Sequence, residues 1–206
     1  MMTGEVGGMA RRPVGPRILF DTLQPQQQGA SFLDAVVHGD RRVLIVVGTV
    51  EESRATSALW FDEIRRLLRE TLRRDDGPAD ALRRMNRVLF QEGVVVSMAC
   101  AKVDVQSSRL VFACAGHSAP WLVRAMGGSA HLLTTPSVAL GQVRNAAYKS
   151  QQVSLVAGDA AIIASQEFTE MLPRAARTFL PGVQDVAKGL RNAAGGGEGV
   201  AVCVGF

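Results

Sequence analysis

The stretch Ala115-Gly116-His117-Ser118-Ala119-Pro120-Trp121-Leu122-Val123-Arg124 decides how the rest of the chain is read. It joins two strands: an apolar run over 110–115 stops at Gly116, and a second run starts at Trp121 and continues to Arg124. Before it, residues 94–105 make a strand that turns into 110–115 through Gln106-Ser107-Ser108-Arg109. After it, Gly127-Gly128 closes the third strand. A further strand over 148–156 reaches the turn Ala157-Gly158-Asp159, and 160–164 leaves that turn.

Further upstream, Ala35-Val36-Val37, a turn at His38-Gly39-Asp40, and Val43-Leu44-Ile45-Val46-Val47 read as a hairpin. Its second arm is apolar on both faces, which predicts a central strand covered on both sides. The period then changes. Ala58, Phe61, Ile64, Leu67, Leu68, Thr71 and Leu72 recur at helical spacing with arginines and glutamates between them, an amphipathic helix of about five turns. Trp60 and Phe61 read as core residues of that helix. Asp75-Asp76-Gly77-Pro78 ends it and starts a second helix marked by Ala81, Leu82, Met85, Val88 and Leu89, which stops before Gly93. Beyond Phe168 the sequence predicts a short helical piece, a helix over 183–192, a loop at Gly195-Gly196-Gly197 and a closing strand over 200–204. Residues 1–17, rich in glycine and proline, read as a flexible tail, and 18–206 as a single domain. The order of elements predicts an α+β fold: a four-layer α/β/β/α sandwich of two mostly antiparallel sheets.

Composition narrows the class. A chain of 206 residues with 47% apolar content fits one domain with a sizeable core. Cys100, Cys114 and Cys203 each lie in an apolar stretch without metal-ligand spacing, as expected of buried thiols in a reducing compartment. No run approaches the roughly 18 apolar residues of a membrane span. Arg11-Arg12 is followed by no long apolar stretch, so the expected location is the cytoplasm. The net charge of +4 is modest. Arginines between Arg65 and Arg74 are interleaved with acids and no aromatics, which describes a solvated helix face and argues against nucleic acid as a partner.

Four segments together resemble the PPM-type (protein phosphatase 2C-like) serine/threonine phosphatases of the bacterial sporulation-protein-IIE class. The opening stretch is similar to their Ala-Gly-His-x-x-Pro followed by an apolar strand. Leu82-Arg83-Arg84-Met85-Asn86-Arg87-Val88-Leu89 resembles their Leu-x-x-Leu-Asn-x-x-Leu helix, Leu155-Val156-Ala157-Gly158-Asp159 their Leu-x-x-Gly-Asp turn, and Val138-Ala139-Leu140-Gly141 their Pro-Leu-Gly segment. The resemblance covers about residues 29–206. It implies a catalytic site in which aspartates hold two manganese or magnesium ions that polarise a phosphoryl oxygen and activate water.

Those aspartates are missing. The Gly-Asp-Phe-Tyr-Asp element falls on Ala30-Ser31-Phe32-Leu33-Asp34, so Ser31 takes the first aspartate position. Gly-Asp-Val-x-Gly-His-Gly falls on Gly48-Thr49-Val50-Glu51-Glu52-Ser53-Arg54, which puts Thr49 at the metal position. Thr-Asp-Gly-x-Thr-Glu falls on Ser165-Gln166-Glu167-Phe168-Thr169-Glu170, and the terminal Asp-Asp pair on Glu198-Gly199. Ser31, Thr49, Gln166 and Glu198 carry at most one negative charge between them, too little to offset two dications. The expectation is therefore a pseudophosphatase with no catalytic residues and no bound metal. The alternative is an active, atypical phosphatase that recruits Asp34, Glu51, Glu52 or Glu167 as shifted ligands for manganese or magnesium. His117 is not among the metal aspartates and reads as a turn histidine; Asp159 reads likewise as a turn residue. Active relatives act on anti-anti-sigma-type phosphoproteins in partner-switching circuits. The resemblance thus implies another signalling protein as partner (such a phosphoprotein, or a kinase or phosphatase of the same circuit), met by Glu52, Arg54 and Glu167.

Overall fold

The computed structural model describes residues 19–23, 31–38, 42–51, 54–73, 76–104, 106–117, 119–126, 130–133, 137–165, 169 and 201–205. Its elements in chain order are β1 (Leu19–Leu23), β2 (Ser31–His38), β3 (Arg42–Val50), α1 (Arg54–Arg73), α2 (Pro78–Glu92), β4 (Val96–Asp104), β5 (Arg109–Ala115), β6 (Trp121–Val123), β7 (Ala130–Leu132), β8 (Gln151–Ser154), β9 (Ala160–Ala164) and β10 (Ala201–Gly205). They form two sheets of five strands, β2-β3-β4-β5-β8 and β1-β10-β9-β6-β7, and every pairing is antiparallel.

Alternation along the central strands builds the layers. From β3, Val43, Ile45 and Val47 meet Ala161, Ile163 and Val202 of the second sheet. Leu44, Val46 and Val50 point the other way and are covered by Ile64, Leu67 and Leu68 of α1 and by Leu82, Met85 and Leu89 of α2. Residues 43–47 are buried on both faces, as a continuous apolar run predicts. Helices, first sheet and second sheet therefore stack as three described layers of an α+β sandwich. The helix expected over 183–192 lies outside the described residues, as does the tail over 1–17.

Local chemistry sets the helix limits. Pro78 occupies the first turn of α2, where its missing N–H costs nothing, and Gly93 ends the helix at φ +71°. The solvent side of α1 is laced by Arg66 with Glu63 and Glu70 and by Arg65 with Asp62, the solvated face that the charge pattern predicts. Trp60 and Phe61 pack partly buried against the helix-side core.

Three elements depart from expectation. β1 and β7 are strands where none is predicted; both are short edge strands, whose apolar signal is weak. The strand expected over 148–156 shrinks to Gln151–Ser154, because Tyr148 instead sits under α2, 2% exposed. Cys100 lies on the helix side of β4 and Cys114 on the opposite side of β5, both buried. Burial pushes the Cys100 thiol up to about 12. Among the described residues no helix is long and apolar enough to cross a membrane.

Candidate functional site

Register brings three hydroxyls into one row. Ser31 on β2 pairs with Thr49 on β3, and Thr49 pairs with Ser97 on β4. All three share strand parity with Leu33, Val47 and Ala99, which pack between the sheets, so the row lies on the inter-sheet face at one end of the first sheet. Ser31 Oγ and Thr49 Oγ1 are 2.9 Å apart and hydrogen-bonded. Ser97 is 6% exposed, with its Oγ 3.5 Å from the Thr49 carbonyl oxygen.

Gly48 makes this row possible. A Cβ there would come within 2.6 Å of the Ser97 carbonyl oxygen and 2.7 Å of Phe32 Cζ. Phe32 crosses β3 at this point to meet Phe61, ring centroids 5.3 Å apart. The glycine is kept for packing, while the residue after it has changed from the expected aspartate to threonine.

The other sequence-derived positions separate. Asp34 has the parity of Phe32 and Val36, which pack against the helix-side core. Its Oδ1 accepts from the Ala35 N–H at 3.0 Å, and Arg65 Nε lies 3.7 Å from Oδ2. It therefore faces α1 and is not brought together with Ser31 and Thr49; a spacing of three along a strand inverts the face. Glu51 follows β3, is exposed, and its N–H donates to Val95 O at 2.9 Å. Arg54 is the first residue of α1. Glu52, Gln166, Glu167, Glu198 and Gly199 lie outside the described residues.

Two of the resembling turns can be followed atom by atom. Gly116 adopts φ +58° and its N–H donates to Ser137 O at 3.1 Å, with His117 next in the turn. Asp159 is fully buried and accepts three hydrogen bonds: from Arg124 Nη1 at 2.7 Å, Ala125 N–H at 3.0 Å and Val156 N–H at 3.0 Å. That is a carboxylate holding two turns together, a structural use.

Ser97 escaped the reading of the sequence, although a lone hydroxyl inside the otherwise apolar run over 94–101 was a visible signal. In the sequence Asn86 stands out only as part of a helix motif. The structure makes it a hub, 1% exposed, with Oδ1 accepting from Gly141 N–H at 2.8 Å.

A pair of dications needs charged oxygens that converge. The two described donor positions offer neutral hydroxyls already bonded to each other, which carry no charge to set against a metal. Among the described residues, no group of three or more His, Cys, Asp or Glu side chains could hold an ion. This described part of the donor set does not fit a metal pair.

Two five-stranded antiparallel sheets, helices over one outer face and a polar row at one end of the layer between them define the protein phosphatase 2C-like class. The sequence profile of Stage II sporulation protein E (SpoIIE) matches residues 39–196, and the chain belongs to that family. Among solved structures it is similar to the PP2C phosphatase domain, with a fragment of the regulatory domain, of the cell fate determinant SpoIIE from Bacillus subtilis. There the TM-score is 0.77 and the identity 16%, over 93% of this chain and 64% of that one. It is also similar to the RsbU and RsbW domains of a Mycobacterium tuberculosis protein, with TM-score 0.70 and 21% identity over 93% of this chain and 62% of that chain. A third is RsbX in complex with magnesium, with TM-score 0.71 and 14% identity over 95% and 96%. The chain thus spans less than two thirds of the length of the first two. No curated protein matches the chain in sequence.

Proposed function

We propose that this domain is a pseudophosphatase, a protein-binding regulator in a bacterial partner-switching circuit of the anti-sigma and anti-anti-sigma type. The observation that carries the reading is the Ser31–Thr49 hydroxyl pair at 2.9 Å. Two positions that would hold metal carboxylates are neutral, face each other and share one hydrogen bond. The surrounding framework is kept down to Gly48, the Gly116 turn and Asp159, which supports retention of the shape for binding. RsbX was solved with magnesium; here the charge needed for such an ion is absent from Ser31, Thr49 and Gln166, and Glu198 alone restores little of it. The partner is a signalling protein of the same circuit, met by Glu52, Arg54 and Glu167. The site works without manganese or magnesium, and the protein acts in the cytoplasm.

The test is turnover of a phosphoserine protein with and without millimolar manganese, alongside metal binding by calorimetry. The expected result is neither hydrolysis nor heat of binding. Manganese-dependent hydrolysis abolished by Glu167→Ala or Glu198→Ala would overturn the reading and establish an atypical enzyme with shifted ligands.

A further inference from the structure

Residues 137–150 connect β7, the edge of one sheet, to β8, the edge of the other. Apart from one β-bridge they contain no regular structure, yet they are fastened along their whole length. At the start, Gly116 N–H donates to Ser137 O and the Ser137 hydroxyl donates to Cys114 O. Leu140 and Val96 exchange both backbone bonds, at 2.9 and 3.1 Å. At the far end, Arg83 Nη1 donates to Tyr148 O at 2.7 Å and the Ser150 hydroxyl accepts from the Ala79 N–H at 3.1 Å.

Asn86 of α2 holds the middle. Its Nδ2 donates to Val143 O at 2.9 Å and Arg144 O at 3.2 Å, while Oδ1 accepts from Gly141 N–H at 2.8 Å and from the Tyr148 hydroxyl at 3.2 Å. All four bonding positions of the buried amide are used, and all four go to this one segment. Close packing continues the chain of contacts. A Cβ on Gly141 would lie 1.9 Å from Val94 O, and one on Gly116 would lie 2.6 Å from Ala139 Cβ. Gly116 and Ser97 each stand one residue beyond the paired Met98 and Ala115, so the segment ends beside the hydroxyl row.

We infer that Asn86 is a lock that joins α2, the strap over 137–150 and the Gly116 turn into one unit, which opens and closes as a body at the wall of the cleft. Releasing the amide frees Gly141, and Ala139 then withdraws from beneath Gly116. The wall beside Ser97 is thus set by a side chain on the helix layer. This lock stands on the hydrogen bonds alone and holds whether or not the cleft turns over a substrate.

Amide hydrogen exchange of the full chain, followed by mass spectrometry, tests it. Asn86→Ala is expected to raise exchange about tenfold or more over 139–146 and, together with it, at Gly116, with β9 and β10 unchanged. Arg83→Ala, which removes the tie at the far end, and Tyr148→Phe, which removes one of the four bonds to the amide, are expected to give the same pattern at smaller amplitude. An increase spread evenly over both sheets, or one confined to 139–146 with Gly116 unmoved, overturns the inference. If Asn86→Ala does not fold, Tyr148→Phe decides by the same two criteria, because it removes a single oxygen.

Discussion

The two ends of the first sheet treat polar groups in opposite ways. At one end Arg42, Asp104, Arg109 and Ser154 lie in register, and beyond Ser154 the buried Asp159 carboxylate gathers Arg124 and two backbone N–H groups. At the other end Ser31, Thr49 and Ser97 lie in register, with no carboxylate among them. The resemblance led to aspartates at both ends, and only the one that ties turns together is present. A carboxylate surrounded by donors keeps its place because its loss leaves those donors unpaired. A carboxylate whose partner is a metal has no such protection once the metal is not needed. It is also a liability then, since like charges directly across a strand pair repel.

Breaking the first end should cost most. Asp159→Ala leaves Arg124 with only the Ser154 carbonyl and unpairs the part-buried N–H groups of Ala125 and Val156, and the expected loss is about 3 kcal/mol, read as a shift of the urea midpoint with unchanged slope. A loss within experimental error would remove the contrast between the ends. Gly48→Ala comes next, at about 2 kcal/mol, because the new methyl meets the Ser97 carbonyl and Phe32. Replacing the hydroxyl pair by Ser31→Ala with Thr49→Val should cost about 1 kcal/mol in total. A double-mutant cycle should leave a coupling of roughly half that, since the pair is only partly buried.

Ser31→Asp combined with Thr49→Asp sharpens the comparison from the other side. It should lower stability by about 1 kcal/mol or less without metal, through repulsion across the pair. Manganese should then raise its melting temperature in a concentration-dependent way and leave the parent protein's unchanged. A parent protein stabilised by manganese would contradict the neutral reading of this end. The smallest effect belongs to the outer face of α1. The hydrogen bond from Arg66 holds the Glu63 carboxyl below its ordinary range, so its contribution is present above the unfolded pKa and fades as pH falls through the lower folded one. Acid titration of Glu63→Gln against the parent should show that difference close and then vanish, and added salt should shrink it further.

Much of the fold was legible because long periodic segments announce themselves. The run over 43–47 could only be a strand covered on both faces, and the spacing of Ile64, Leu67 and Leu68 could only be a helix with one buried side. β1 and β7 were not legible, since a short edge strand is defined by the partner it finds: β10 for one, β6 for the other. In the site, the neutrality of Ser31 and Thr49 was readable directly. So was the strand face of Asp34, three residues from Ser31 and hence opposite to it, although an acid near a lost ligand position invites a reading as a shifted ligand.

The sequence by itself thus determined the alternation that makes the layers and the charge that the described cleft positions lack. Both are properties of residue type and spacing along one strand or helix. Only the tertiary structure decided that Ser31 meets Thr49 across a strand pair, hydroxyl to hydroxyl, and that Asn86 spends its whole amide on a segment more than 50 residues away. Those facts depend on register and on long-range closure, which no local pattern encodes.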